Sequence, residues 1–243
     1  MGKRTYFISD AHLGVAEEEV ESLKESLLLS FLDLVQGEGA NLYILGDLFD
    51  FYFEPFGVVP REYQRVVARL GELTRSGAEV HYVVGNHDYW LGDFWKKEVG
   101  VSVYRQPVEV LIEDRRLFLA HGDGLGELDI GYEVLKHILR NRVNIRLYTL
   151  LGPELGFGLG RVMSRASRRR SDREQNPKVG HLWSFAKRKF AEGFDGVLCG
   201  HIHTPTLLRE GEKTFLLLGD WMDNFSYGRL EDSSLYLEYF RKG

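Results

Sequence analysis

Five apolar, strand-like runs in this chain each end on residues that can ligate a metal: Ser9-Asp10-Ala11-His12, Gly46-Asp47, Gly85-Asn86-His87-Asp88, His121-Gly122-Asp123 and Gly200-His201-Ile202-His203. A divalent cation needs several oxygen and nitrogen donors gathered from distant sequence, and strand ends are rigid enough to hold them. A single Asp-x-His or His-x-His is most often a pair of solvated loop residues. Five such endings in series restrict the chain to folds in which the carboxyl ends of several strands meet. In an extended chain, residues two apart face the same side, so Asp10 with His12, and His201 with His203, are expected to chelate by strand alternation. Gly46, Gly85, Gly122 and Gly200 adjoin the ligands, where a missing Cβ lets backbone approach a metal or phosphate; their plainer reading is punctuation between strand and loop.

The segments between these endings set the fold class. Tyr6 to Ile8 reads as a strand, and Leu23, Leu27, Leu28, Phe31, Leu32 and Val35 have the spacing of a helix that Gly37 and Gly39 stop. A strand at Leu42 to Leu45, a helix at Arg61 to Ser76 between Pro60 and Gly77, and a strand at Glu79 to Val84 follow. This alternation predicts a parallel α/β core. From Val101 the strands crowd together (Val101 to Tyr104, Val108 to Ile112, Leu117 to Ala120), and four more follow at Gly196 to Cys199, Thr206 to Leu208, Thr214 to Leu218 and Leu235 to Phe240. Two sheets are expected, the second partly antiparallel.

Residues 125–189 interrupt this series with a helical, irregular stretch, read as an insertion that caps a core made of residues 1–124 and 190–243. Charge separates the two parts. The formal net charge is -5, yet residues 125 to 180 hold 11 Lys and Arg against 6 Asp and Glu, leaving 20 against 30 elsewhere. An acidic body is consistent with cation binding and a basic insertion with an anionic partner. Arg161, Arg165, Arg168, Arg169, Arg170 and Arg173 offer fork-shaped donors for phosphate, and Leu147, Tyr148, Leu150, Leu151, Leu155, Phe157 and Leu159 offer apolar area for acyl chains or a bilayer surface. A small helical subdomain with a solvated basic face would have the same composition. The glycines from Gly152 to Gly160 lack the spacing and preceding strand of a dinucleotide-binding turn, and no aromatic residues interleave with Arg168-Arg169-Arg170, which argues against nucleic acid.

The order of the five endings resembles that of the calcineurin-like metallophosphoesterases: Asp-x-His, Gly-Asp, Gly-Asn-His-Asp/Glu, a His before Gly-Asp/His, and Gly-His-x-His, over residues 5 to 220. The resemblance implies an α/β fold, a two-sheet αββα sandwich with the helical cap inserted. It also implies one metal on Asp10, His12, Asp47 and His203 and a second on Asp47, Asn86, His121 and His201, with Asp47 bridging. Two cations about 3.5–4 Å apart neutralise the oxygens of a phosphorus centre attacked in line, so no protein nucleophile is needed. His87 is then assigned to contact the phosphate or protonate the leaving group, with orientation of the site as its plainer role. Asp88 and Asp123 are expected to partner histidines. Mixed Asp, Asn and His donors suit Mn²⁺, Fe²⁺ or Zn²⁺, and the resemblance favours Mn²⁺.

Within that superfamily, Tyr43-Ile44-Leu45-Gly46-Asp47-Leu48-Phe49, Asp129-x-Gly131-Tyr132, the basic insertion and Leu218-Gly219-Asp220-Trp221 look like the UDP-2,3-diacylglucosamine hydrolase family of lipid A biosynthesis. The likeness implies cleavage of the pyrophosphate to UMP and 2,3-diacylglucosamine 1-phosphate, with Asn86, His87, Asp129, Tyr132 and Arg165 touching substrate. His87 departs from the best-known branch, which has Arg at that position. A phosphodiesterase or phosphatase for another nucleotide or phospholipid is the alternative, and a catalytically silent scaffold a third, disfavoured because no ligand is missing. One cysteine, Cys199, and an N-terminus that enters Thr5-Tyr6-Phe7-Ile8 without an apolar signal core lead us to expect a cytoplasmic protein. The implied lipid substrate adds peripheral contact with the cytoplasmic face of the inner membrane.

Overall fold

The computed structural model describes residues 3–126, 130–171 and 175–240. Two sheets pack face to face. The first has strand order β11-β10-β1-β2-β3-β4, from β1 (Thr5–Ile8), β2 (Asn41–Ile44), β3 (Val80–Val83), β4 (Ser102–Tyr104), β10 (Ser226–Glu231) and β11 (Ser234–Tyr239). Strands β1 to β4 are parallel, and the β10–β11 hairpin closes the edge antiparallel to β1. The second sheet runs β5-β6-β7-β9-β8, from β5 (Val108–Ile112), β6 (Arg115–Ala120), β7 (Gly196–Cys199), β8 (Thr206–Glu210) and β9 (Lys213–Leu217). Its three central strands are parallel and both edges antiparallel.

Hydrophobic periodicity explains the layers. Phe7, Tyr43, Leu45 and Val83 meet Leu117, Leu119, Leu198, Leu216 and Leu218 between the sheets. The opposite face of the first sheet is covered by α1 (Glu18–Gly37) and α2 (Gln64–Arg75), through Leu28, Phe31, Leu32, Val66 and Leu70. On the outer face of the second sheet, Leu182, Ala186 and Phe190 of α6 (Gln175–Ala191) cover Phe118, Val197 and Phe215. These are the four layers of an αββα sandwich. Apart from the edge strand β4, the parallel strands are largely buried on both faces and so read as continuous apolar runs.

The remaining helices between β6 and β7 are α3 (Ile130–Arg140), α4 (Arg142–Thr149) and α5 (Gly152–Ser171). They meet the loop after β2 through a small aromatic cluster of Phe51, Phe53 and Phe157 with Phe56, Trp90 and Tyr148 around it. α6 spans the boundary at 189, its second half being part of the sheet packing.

Two elements differ from the pattern reading. Strand β10 has small buried residues, Ser226 and Gly228, where an apolar alternation would be sought. A Cβ on Gly228 would press on Leu216, Leu218 and Phe7, so close sheet packing removes the side chain that would mark the strand. The second is a π-helical turn at Trp95–Val99, held by Trp95 against Phe49, Tyr52 and Tyr82. Among the described residues no helix is long and apolar enough to cross a membrane.

Candidate metal centre

The carboxyl ends of β1, β2 and β3, neighbours in one sheet, and of β6 and β7, neighbours in the other, lie on the same edge of the sandwich. Past their last strand residues the β1 and β2 loops stay zipped together: Asp10 N–H donates to Gly46 O (3.1 Å), His12 N–H to Asp47 O (2.9 Å) and Leu13 N–H to Leu48 O (3.0 Å). The chain is not extended there. Asp10, His12, Asp47 and His201 have φ of 53°, 41°, 52° and 66°. Strand alternation therefore does not orient these side chains, as the two-residue spacing led us to expect; left-handed turns do. Non-glycine residues persist in that region only where surrounding contacts over-determine them, typically at functional sites.

Each central carboxylate is split between scaffold and site. Asp10 Oδ2 accepts the His201 backbone N–H at 2.8 Å, while Oδ1 faces His12 Nε2 (3.6 Å) and His203 Nε2 (3.5 Å). Asp47 Oδ1 accepts the His87 backbone N–H at 2.9 Å, while Oδ2 faces His121 Nε2 (3.2 Å), His12 Nε2 (3.9 Å) and His87 Nε2 (3.9 Å). The Asp47 oxygen thus lies between two groups of donors. Asn86 Oδ1 is 3.2 Å from His121 Nε2, and the His201 ring stands edge-on to His121 at 5.1 Å. Nδ1–H of His121 donates to Leu45 O at 2.8 Å, which turns the Nε2 lone pair inward. His87 does the same through Asp50 O, also at 2.8 Å.

Electrostatics match the geometry. Burial would raise the Asp10 carboxyl, but the His12 and His203 imidazoles facing it outweigh that and hold the group well below the usual carboxylate range. At Asp47 burial is likewise outweighed, chiefly by the charge of His121. Burial pushes His12 down to about 3, and burial with the charge of His121 pushes His201 down to about 4, leaving neutral imidazoles. His121 moves up because Asp47 outweighs its burial.

These residues fit divalent cations. Among the described residues, three sets of donors lie close enough to share an ion: Asp10 with His12 and His203, His12 with Asp47 and His87, and Asp10 with Asp47 and His121. Asp10 Oδ1 and His12 Nε2 are buried without a hydrogen-bond partner, a cost that a ligated cation would remove. Glycine leaves the required room: a Cβ on Gly85 would overlap Asp47 Oδ1, and one on Gly200 would come within 2.5 Å of Asp10 Oδ2. Burial holds the Cys199 thiol up at about 12, so it offers no thiolate.

Of the two supporting carboxylates, Asp88 differs from expectation. Asp88 partners no histidine in its hydrogen bonds; it accepts from Leu48 N–H, Gly85 N–H and the Tyr82 hydroxyl, tying the β2 and β3 loops together. Burial and the charge of Asp47 raise it to about 6. Asp123 pairs with Lys136 (3.0 Å) and Arg140 (3.7 Å) of α3, and feels the charges of His121 and His201. Lys24 and Asp50 escaped the sequence reading. Lys24, buried in α1, donates to His12 O at 2.8 Å, and Asp50 receives His87; only their location beside an Asp-x-His and a Gly-Asp ending hinted at either.

A pocket of about 220 Å³ opens from Asn86 and His87. Phe51, Phe53, Trp90, Ile138 and Tyr148 wall it, with Lys136 and Arg140 at its side. Arg165 is exposed on α5 and does not line this pocket, whereas its neighbour Ser164 does. Asp129 lies outside the described residues, as does the side chain of Tyr132, whose backbone is in α3.

Comparison with known proteins agrees with this geometry. The profile of the family described as calcineurin-like phosphoesterase matches residues 3–205. Curated relatives named UDP-2,3-diacylglucosamine hydrolase include one from Porphyromonas gingivalis, 32% identical over 98% of both chains. Another, from Pseudomonas fluorescens (strain SBW25), is 32% identical over 88% of this chain and 86% of its own. A third, from Haemophilus influenzae (strain PittGG), is 25% identical over 92% of this chain and 93% of its own.

Proposed function

The chain belongs to the calcineurin-like phosphoesterase family and is a metal-dependent hydrolase, and from that premise we propose that it cleaves the pyrophosphate of UDP-2,3-diacylglucosamine, giving UMP and 2,3-diacylglucosamine 1-phosphate as a step of lipid A biosynthesis. Held by Asp10, His12, Asp47 and His203 on one side and by Asp47, Asn86, His121 and His201 on the other, two divalent cations would polarise the phosphoryl oxygens and lower the pKa of water. Mn²⁺ is our choice by the family likeness; oxygen and imidazole donors with no thiolate suit Mn²⁺, Fe²⁺ and Zn²⁺ alike.

The chain's own residues orient the substrate. Asn86 and His87 form the floor where pocket and donor cluster meet. With Nδ1–H committed to Asp50 O, His87 directs Nε2 toward the reacting phosphate, as a contact to its oxygens and, when both ring nitrogens are protonated, as the donor to the leaving group. Lys136 and Arg140 give the pocket's side a positive edge for the second phosphate.

The observation carrying this reading is that pocket: aromatic and aliphatic walls begin where the donor cluster ends, as a phosphate attached to an acylated sugar requires. Its test is release of UMP from the lipid nucleotide by the purified, Mn²⁺-loaded protein in detergent. Turnover of bis(p-nitrophenyl) phosphate without release of UMP would reject the substrate and keep the hydrolase.

We also propose that α4 and α5 rest on the cytoplasmic face of the inner membrane. Leu147, Leu150, Leu155 and Leu159 are exposed, Leu150 by 81% and Leu155 by 70%, with Arg142, Arg146 and Arg165 exposed among them. Apolar side chains flanked by Arg suit an anionic lipid surface. Cosedimentation with vesicles containing phosphatidylglycerol checks this.

A further inference from the structure

One turn of α5 reaches the donor cluster itself. Gly156, Gly160 and Ser164, four residues apart and all buried, form one face of the helix. A Cβ on Gly156 would overlap the Phe56 ring and one on Gly160 the Phe51 ring, so the glycines let the helix backbone lie directly on the aromatic loop that follows β2. This accounts for the glycine run that fits no dinucleotide-binding turn. It also delivers Ser164, 5% exposed, to the back of His87.

The contacts there form a directional chain. Ser164 Oγ lies 2.6 Å from Asp50 Oδ1 and 2.8 Å from His87 Nδ1. An ionised carboxylate only accepts, so the hydroxyl hydrogen goes to Asp50, and the serine oxygen is left to accept from His87 Nδ1–H. That N–H is also 2.8 Å from Asp50 O, so Asp50 and Ser164 together hold the outer side of the imidazole. The Asp50 carboxylate stands 3.8 Å from His12 Nδ1 and 3.9 Å from His87 Nδ1, behind both rings, which meet edge-on at 4.8 Å. Such partners fix ring rotation and tautomer from the Nδ1 side, leaving Nε2 for the phosphate.

We propose that Ser164 is a positioning residue for His87: a hydroxyl supplied by the helical insertion joins Asp50 of the β2 loop in aiming Nε2 at the reacting phosphate. The inference rests on the role given to His87 under the proposed function. It makes the insertion part of the reaction geometry as well as a wall of the pocket.

The experiment measures kcat and KM of the Mn²⁺-loaded full chain on bis(p-nitrophenyl) phosphate, which requires no acyl-chain binding. Ser164→Ala should lower kcat by about 10-fold with KM little changed, in the range for loss of a partner behind an active-site imidazole. Ser164→Thr, which restores a hydroxyl, should recover most of that rate, and Asp50→Ala should lower kcat at least as far. The decisive arm is the double variant: in a His87→Ala background, Ser164→Ala should have no further effect. Full activity in Ser164→Ala overturns the proposal. So does an equal loss on both backgrounds, or a rise in KM alone, either of which would mark a direct contact with substrate. If His87→Ala keeps full kcat while Asp47→Ala does not, the role of His87 fails and the positioning proposal with it, leaving the metal-dependent hydrolase intact.

Discussion

The edge of the sandwich and the helices inserted beside it solve opposite problems. At the edge, Asp10, His12 and Asp47 are almost wholly buried, and each is set by backbone hydrogen bonds from a neighbouring loop. In α3 to α5 many large apolar side chains are exposed, and attachment includes one small aromatic cluster, the Asp123 ion pairs, Arg161 with Glu62, Trp90 on Leu139 O, and Ser164. Rigid loops on strand ends give the precision that hydrolysis demands. Helices with much uncommitted surface would give area for the amphipathic substrate we propose. If this division is right, substitutions at the edge act on every substrate, and those on the outer helices act on lipid substrates alone.

The largest effect is expected at Asp47→Ala, which removes the oxygen shared by both donor groups and the acceptor for His87 N–H. Activity on bis(p-nitrophenyl) phosphate should fall by roughly 10³-fold or more while the far-ultraviolet circular dichroism is retained. Substantial residual turnover would break the comparison at its stronger end. Next comes His87→Ala, with a fall in kcat of about 10²-fold and unchanged metal content by inductively coupled plasma mass spectrometry. Loss of one ion would instead place His87 among the ligands, beside His12 and Asp47.

Gly85→Ala sharpens the claim that backbone proximity builds the site, because the new methyl would overlap Asp47 Oδ1. Metal affinity should drop by about 10- to 100-fold, read by competition with a chelator. In stability, Phe31→Ala in the buried layer under α1 should cost roughly 3–5 kcal/mol, against about 0.5 kcal/mol or less for Leu150→Ala on α4's exposed end, both from urea unfolding. The smallest effect is on small substrates: Leu150→Ser with Leu155→Ser should leave turnover of bis(p-nitrophenyl) phosphate within about 2-fold of the starting protein, since neither residue packs in the core. The same pair should reduce vesicle binding; equal binding would remove the case for a membrane-facing surface.

Much of this molecule could be read before any fold was known. The parallel strands were legible because burial on both faces makes them short apolar runs, and the donors because each follows such a run directly. β10 was not, since leucines of the partner sheet fill the space at Gly228, and with Ser226 beside it the buried face carries an apolar side chain only at Leu230. The two-residue spacing of Asp10 and His12 suggested the right neighbours by the wrong geometry: the turn at positive φ is imposed by the adjoining β2 loop. Arg165 was preferred by its approximate alignment with the resembled family, and helix phase buries its neighbour Ser164 instead.

Sequence alone determined the two-sheet plan, the candidate donors and the basic, apolar character of residues 125–189, because apolar runs, ligand chemistry and charge are local properties of the chain. Only tertiary structure decided which oxygen of each aspartate faces the site, which glycines are needed for room, and that a serine of the insertion sits behind His87. Those depend on contacts across as many as 191 residues, such as His201 N–H on Asp10, and on helix phase set by packing against Phe51 and Phe56. No local pattern encodes a distance between segments that meet only after folding.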